Sequence, residues 1–228
     1  MNVSVIIPVF NEEASIGKVV HDLRSQAVSE ILVVNNNSTD NSAKAAEIAG
    51  AKVLNETIRG YGAACLCGIS YLKGKQCDIV VFLDGDYSDY PEEINLLLNP
   101  IINQDFDFIL GSRVLGKREK GALPLQSRLG SIIAGLLINF FWGVKYTDLG
   151  PFRAVKYDKL VKLNMQDRWY GWTVEMQIKA AKKKYKILEV PVSYRKRIGI
   201  SKVTGTFRGT ILASIIIMKT IIKHIFTD

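Results

Sequence analysis

The first half of the chain is built from short runs of β-branched residues, apolar at nearly every position and separated by stretches with helical patterning. VSVIIPVF (3–10), EILVVNN (30–36), AKVLNE (51–56), DIVVFLD (78–84) and DFILGSR (107–113) read as strands. Residues 12–27, 40–49, 61–73 and 91–102 read as helices, the last opening on Pro91 with Glu92 and Glu93 behind it, which suits a helix start. Strands apolar on both alternate faces must be covered on both sides, and the intervening helices serve as crossovers. The pattern predicts an α/β fold with a mostly parallel sheet and helices on both faces. Right-handed crossovers bring the C-terminal ends of parallel strands to one edge, where ligands bind. Three polar clusters fall there: PVFNEE after the first strand, NNNSTD after the second and DGDYSD after the fourth. Each alone could be an ordinary loop, but their convergence makes this edge the candidate site.

Charge divides the chain. Residues 1–112 hold 7 Lys and Arg against 15 Asp and Glu, whereas residues 113–228 hold 23 against 7. An acidic first half suits a bound cation, and a basic second half suits phosphates, nucleic acid or an anionic membrane surface; a solvated basic face is the plainer alternative. Residues 127–144 and 205–226 are strongly apolar helix candidates whose uninterrupted apolar runs fall short of the ~20 residues that span a bilayer. On a helical wheel Arg208, Lys219 and Lys223 fall opposite Ile211, Ile215, Ile222 and Phe226, as in a helix lying on anionic lipid; a core helix with a charged outer stripe fits equally. Cys65, Cys67 and Cys77 have neither disulfide parity nor metal-ligand spacing, and the N-terminus lacks the basic and apolar regions of a signal peptide. A cytoplasmic protein peripheral on the inner membrane face is expected.

The stretch VVFLDGDYSDYPEE puts five carboxylates after a hydrocarbon run. On an extended chain Asp84 and Asp86 point the same way, with Gly85 between them admitting a close approach. Two carboxylates are half of a Mg²⁺ or Mn²⁺ site whose remaining ligands come from water and substrate phosphates. A solvated strand end is the alternative for an isolated acidic pair.

Together, VSVIIPVFNEE, VVNNNSTD, VVFLDGDYSDYPEE, ILGSR, DLGPFRAV, WTVEMQ and GISKVTGT resemble the family-two glycosyltransferases of the glycosyltransferase-A fold. Within them the likeness is to the dolichyl-phosphate mannose synthase and polyprenyl-phosphate glycosyltransferase branch. The resemblance implies a nucleotide-sugar and metal-binding core over residues 1–112, continuous with an acceptor-binding region over 113–228. It also implies Mg²⁺ or Mn²⁺ as cofactor.

Carried over by position, the resemblance places Pro8, Phe10 and Glu12 in the nucleoside pocket. A helix-start role is the rival for Glu12, with Asn11 as the cap. Asn35 and Asn36 stand where many relatives carry base-reading aspartates; since an asparagine both donates and accepts, the usual base preference does not transfer. Asp84 and Asp86 match the metal motif, Asp86 as the direct ligand, with Ser88 where mannose synthases carry a glutamine, so that water or Asp89 completes the set. Arg59 and Gly60 in RGYGAA resemble a turn near the sugar diphosphate, with a plain helix entry as the alternative. Arg113 resembles the arginine that meets the acceptor, its alternative being a surface ion pair. Arg197 and Lys202 resemble a basic loop that closes on the departing diphosphate. Glu175 lies where a carboxylate deprotonates a hydroxyl acceptor in some relatives; for an anionic lipid phosphate it would instead orient a cation. His21 and His224 lie in helix-like segments away from the motif edge.

The expected reaction is metal-dependent transfer of one sugar from a nucleotide-sugar to a polyprenyl phosphate, inverting the anomeric centre. The rivals are transfer to a saccharide or protein hydroxyl, a haloacid-dehalogenase-like phosphatase suggested by VVFLDGD, and a non-enzymatic membrane-surface module. No nucleic-acid partner is expected.

Overall fold

A computed structural model describes residues 1–199 and 207–226, the side chains of residues 207–213 excepted. The five expected strands form: β1 (Val3–Val9), β2 (Glu30–Asn35), β3 (Lys52–Asn55), β4 (Ile79–Phe82) and β5 (Phe108–Ser112). Between them lie α1 (Ile16–Arg24), α2 (Ser42–Ile48), α3 (Tyr61–Tyr71) and α4 (Ile94–Gln104), the last preceded by a 3-10 turn at Pro91–Glu93. Period-two alternation sends Ile6, Leu32 and Phe82 to one core and Val5, Ile7, Val33 and Val81 to another, so each sheet face is covered. That double burial is why the strands read as continuous apolar runs.

The second half completes the same sheet. α5 (Leu125–Trp142), β6 (Arg153–Lys156), α6 (Tyr157–Leu163), α7 (Trp172–Lys182), β7 (Ile187–Pro191) and α8 (Phe207–Phe226) follow in order. The sheet runs β3-β2-β1-β4-β6-β5-β7, with β6 antiparallel to β4 and β5 and all other neighbours parallel. Neither β6 nor β7 was expected. RAVK opens on Arg153, which is fully buried and donates from Nε to the Gly150 carbonyl at 3.2 Å and from Nη1 to that of Thr173 at 3.0 Å.

α8 buries one side in the core and corrects the helical-wheel expectation: Lys219 and Lys223 share the side of Ile215, Ile222 and Phe226 instead of lying opposite them, because residues three and four apart sit on one helix face. Thr220, Ile221 and His224 are buried in packing against α5 and α7, whereas Ile215, Met218, Ile222 and Phe226 remain exposed beside Lys219 and Lys223. α5 likewise leaves Leu129, Ile132, Leu136 and Phe140 exposed along one side. Among the described residues no helix is long and apolar enough to cross a membrane.

Candidate active site

β1, β2 and β4 deliver the three polar clusters to one sheet edge, as their parallel pairing requires. Antiparallel β6 brings the segment before it, from Asp148 to Phe152, to the same edge. A cavity of about 430 Å³ opens there. Asp84, Asp86, Arg113, Lys196 and Arg197 supply its charge, and Leu123, Pro124, Leu149 and Ile217 part of its apolar wall.

The acidic segment is a turn rather than the extended chain expected: β4 ends at Phe82, and Tyr87 has φ 64°. Gly85 admits a core side chain, not a ligand, because a Cβ there would lie 2.8 Å from Val9 Cγ2. Both Asp84 and Asp86 nevertheless face the cavity. Ser88 is fully buried and donates to Asp86 Oδ1 from its amide (2.9 Å) and hydroxyl (2.5 Å), so it orients the carboxylate rather than serving as a ligand. Asp89, 1% exposed, accepts from the Asp84 amide at 3.5 Å, while its Oδ1 has no hydrogen-bond partner among the described residues. Burial, then the charge of Asp86, pushes the Asp84 carboxyl up to about 7. Burial, then Asp84 and Asp86, pushes Asp89 well above the carboxylate range. Crowded carboxylates with an orphaned buried oxygen are short of positive charge, and a divalent cation fits that deficit. Among the described residues no three protein ligands converge on one point, so phosphate oxygens would have to complete the shell.

The basic segment before α8 docks on this turn. Arg197 reaches Asp86 Oδ2 from Nη1 at 3.0 Å and Glu12 Oε1 from Nη2 at 2.6 Å, bridging the two carboxylates. Arg195 stacks 3.4 Å from the Tyr87 ring centroid and donates to the carbonyls of Tyr87 and Asp89. Lys202 lies outside the described residues.

Arg113 is not a surface ion pair. It forms a bidentate pair with fully buried Asp148, Nε to Oδ2 and Nη2 to Oδ1 both at 2.8 Å, and its amide adds a third bond at 2.9 Å. Burial opposes charge on both groups, but their pairing outweighs it, holding the arginine above and the aspartate below their ordinary values. Asp148 and Arg195 were not anticipated. The only signal for Asp148 was its place in DLGPFRAV, and its partner lies 35 residues away.

Several expected contacts go elsewhere. α1 begins at Ile16, after Ser15. Asn11 is therefore not its cap; its Oδ1 instead accepts from the Thr39 amide at 2.7 Å. Glu12 is 9% exposed and keeps a part in the helix start: its carbonyl accepts from the Ser15 and Ile16 amides at 3.1 and 2.9 Å, and its Oε2 from Ser15 Oγ at 3.4 Å. Pro8 pairs with Val34 in the sheet, and the Phe10 ring lies 4.7 Å from the Arg59 guanidinium. Asn35 bonds Asn55 and the Ser38 amide. Asn36 is buried, donates to the Glu56 and Ile58 carbonyls and accepts from the Gly60 amide at 2.7 Å, so it clamps a loop instead of reading a base. The phosphate turn at Gly60 is likewise filled, since the Gly62 and Ala63 amides donate to the Trp169 and Arg168 carbonyls at 3.3 and 3.0 Å. Glu175, 2% exposed, accepts from the Gln166 and Asp167 amides and from Lys179 Nζ at 2.7 Å. Turned into this loop, it is a structural residue and no base at the cavity. His21 is exposed beside Asp22, and His224 is buried in α8.

Residues 4–163 match the model of glycosyl transferase family 2. An undecaprenyl-phosphate mannosyltransferase of Micrococcus luteus is 28% identical over 94% of this chain and 93% of its own length. The UDP-N-acetylglucosamine–dolichyl-phosphate N-acetylglucosaminyltransferase of Methanococcus voltae is 29% identical over 82% and 83% respectively. Among solved structures, glucosyl-3-phosphoglycerate synthase of Mycobacterium tuberculosis, in complex with Mn²⁺, UDP-glucose and phosphoglyceric acid, superposes with a TM-score of 0.78 at 19% identity, covering 100% of this chain and 80% of its own. The same synthase is also known with Mg²⁺ and UDP. The likeness shows the glycosyltransferase-A fold expected from the sequence.

Proposed function

The chain belongs to glycosyl transferase family 2, and on that premise we propose that it transfers a sugar from a nucleotide-sugar to a polyprenyl phosphate at an anionic membrane face. The carrying observation is the cavity itself. Arginine and lysine line it together with the acidic turn, and its wall is built partly by α5 and α8, the two helices with exposed apolar stripes. That arrangement suits an acceptor with an anionic head and a hydrocarbon tail.

Phe10, Arg59, Glu12 and Asn35 lie beside the nucleoside, and the diphosphate approaches Asp84, Asp86 and Arg197. Asp84 and Asp86 would hold Mg²⁺ or Mn²⁺, which when bound neutralises the donor diphosphate. Arg197 must give up its hold on Asp86 to meet the diphosphate, and Lys202 is assigned to the same leaving group from the family resemblance. Arg113, held rigid by Asp148, offers its remaining N–H groups to the acceptor phosphate, and Lys196 adds charge. A phosphate oxygen attacks the anomeric carbon as its bond to the donor phosphate breaks; the electron pair leaves with the nucleoside diphosphate, and the centre inverts. An anionic nucleophile needs no base, which agrees with the turning away of Glu175.

The test crosses labelled nucleotide-sugars with undecaprenyl phosphate, the matching free polyprenol and 3-phosphoglycerate. Transfer to the lipid phosphate, abolished by chelator and by Asp86→Asn, is expected. Equal use of the free polyprenol would overturn the phosphate assignment, and preference for 3-phosphoglycerate would move the acceptor to a small phosphorylated acid.

A further inference from the structure

Tyr61 opens α3 and lines the catalytic cavity together with Asp84. Its hydroxyl is buried, yet it has no hydrogen-bond partner among the described residues. Cys65, one turn along α3, sets a thiol beside it, but sulfur is a weak acceptor. Leaving a buried donor unpaired destabilises a fold, so an orphan on a cavity wall calls for a ligand atom that completes it.

The phenol is held in place before any ligand arrives. Its ring meets fully buried Trp172 edge-on, with centroids 6.1 Å apart, and Trp172 meets Phe82 at 4.8 Å. The backbone is pinned on either side, the Gly60 amide by Asn36 Oδ1 at 2.7 Å and the Gly62 amide by the Trp169 carbonyl at 3.3 Å. Burial, then the charge of Asp84, pushes the phenol well above its ordinary value. It therefore keeps its proton at neutral pH and can donate it to a hydrogen bond.

The surroundings point to the kind of atom it meets. The exposed cations of the cavity, Arg113, Lys196 and Arg197, suit phosphates. Around Tyr61 the carboxylates of Asp84 and Asp89 act on the phenol, offset in part by buried Arg153, and Tyr170 and Thr173 bring neutral hydroxyl side chains to the same cavity. A neutral oxygen suits that setting better than an anionic one. A second orphaned hydroxyl of the cavity, Ser127 Oγ, stands one turn before Ser131, which bonds Asp148, and so belongs with the acceptor arginine. We propose that Tyr61 Oη donates to a hydroxyl of the transferred sugar, which makes Tyr61 a specificity residue for the sugar and not for the base or the diphosphate. The assignment rests on the reading that the cavity takes a nucleotide-sugar; it does not depend on the acceptor.

The test is calorimetric binding to the full chain, with Mn²⁺ present, of UDP-glucose, UDP-N-acetylglucosamine and GDP-mannose, each against its nucleoside diphosphate alone, in wild type and Tyr61→Phe. The nucleotide-sugar that wild type binds most tightly should bind the variant about three- to tenfold more weakly, and its nucleoside diphosphate should change by less than about twofold. Equal losses for the two would place Tyr61 at the diphosphate and overturn the proposal. Monodeoxy analogues of that sugar locate the contact: one of them should bind wild type about as weakly as the parent binds Tyr61→Phe, and the variant should no longer tell the two apart. If every deoxy analogue loses as much in the variant as in wild type, no sugar hydroxyl meets the phenol. The Tm of the ligand-free variant should be unchanged or higher, because an unpaired buried hydroxyl has been removed; a clear fall would make the hydroxyl a structural group. If no polyprenyl phosphate is glycosylated but these binding differences persist, the acceptor reading fails and this one stands.

Discussion

Replacing Asp148 with asparagine tests the buried pair that holds Arg113. The carboxylate is fully buried and receives two guanidinium bonds and one amide bond from Arg113, a fourth from the Leu149 amide at 2.8 Å and a fifth from Ser131 Oγ at 3.3 Å. Asparagine keeps one acceptor oxygen but turns N–H donors toward donors, leaving the guanidinium uncompensated. Breaking one side of a buried pair costs about 3–5 kcal/mol, which for a chain of this size lowers Tm by roughly 10 °C. Urea unfolding at pH 7 would measure it, with Arg113→Met/Asp148→Leu alongside. Removing both charges should cost much less than removing one, because no unpaired ion remains. The sign with pH is fixed. Asp148 titrates below its ordinary value in the folded state, so its contribution is complete above the unfolded value near 3.8 and is lost as pH falls toward the folded one. The gap between wild type and Asp148→Asn should narrow on acidification. A loss below about 1 kcal/mol at pH 7, or a double variant worse than the single, would refute the reasoning.

Glu175→Gln should leave transfer within a few-fold of wild type and cost about 1–3 kcal/mol in stability, since two loop amides and Lys179 lose a charged acceptor. A kcat collapse at unchanged stability would restore the residue to the chemistry. Because Asp84 is pushed up to about 7, protons compete with a divalent ion below neutrality. Calorimetric affinity for Mn²⁺ with UDP should rise through pH 6–7 and level off above it, while a flat profile would remove Asp84 from the metal site.

The five apolar runs of the first half and the carboxylate cluster after β4 were legible because both are local, although the turn that shapes the cluster was not. A strand buried on both faces must be apolar throughout, and the chain order of strands and crossovers already sends their polar ends to one edge. Family membership was legible in the ordered motifs for the same reason. β6 was not: four residues opening on an arginine carry no strand pattern, and only the slot between β4 and β5 makes them one. The pairing of Arg113 with Asp148 was likewise hidden, as was the capture of Asn36 and Glu175 by backbone amides and carbonyls, because a side chain's partner is chosen by whatever the fold brings within about 3 Å.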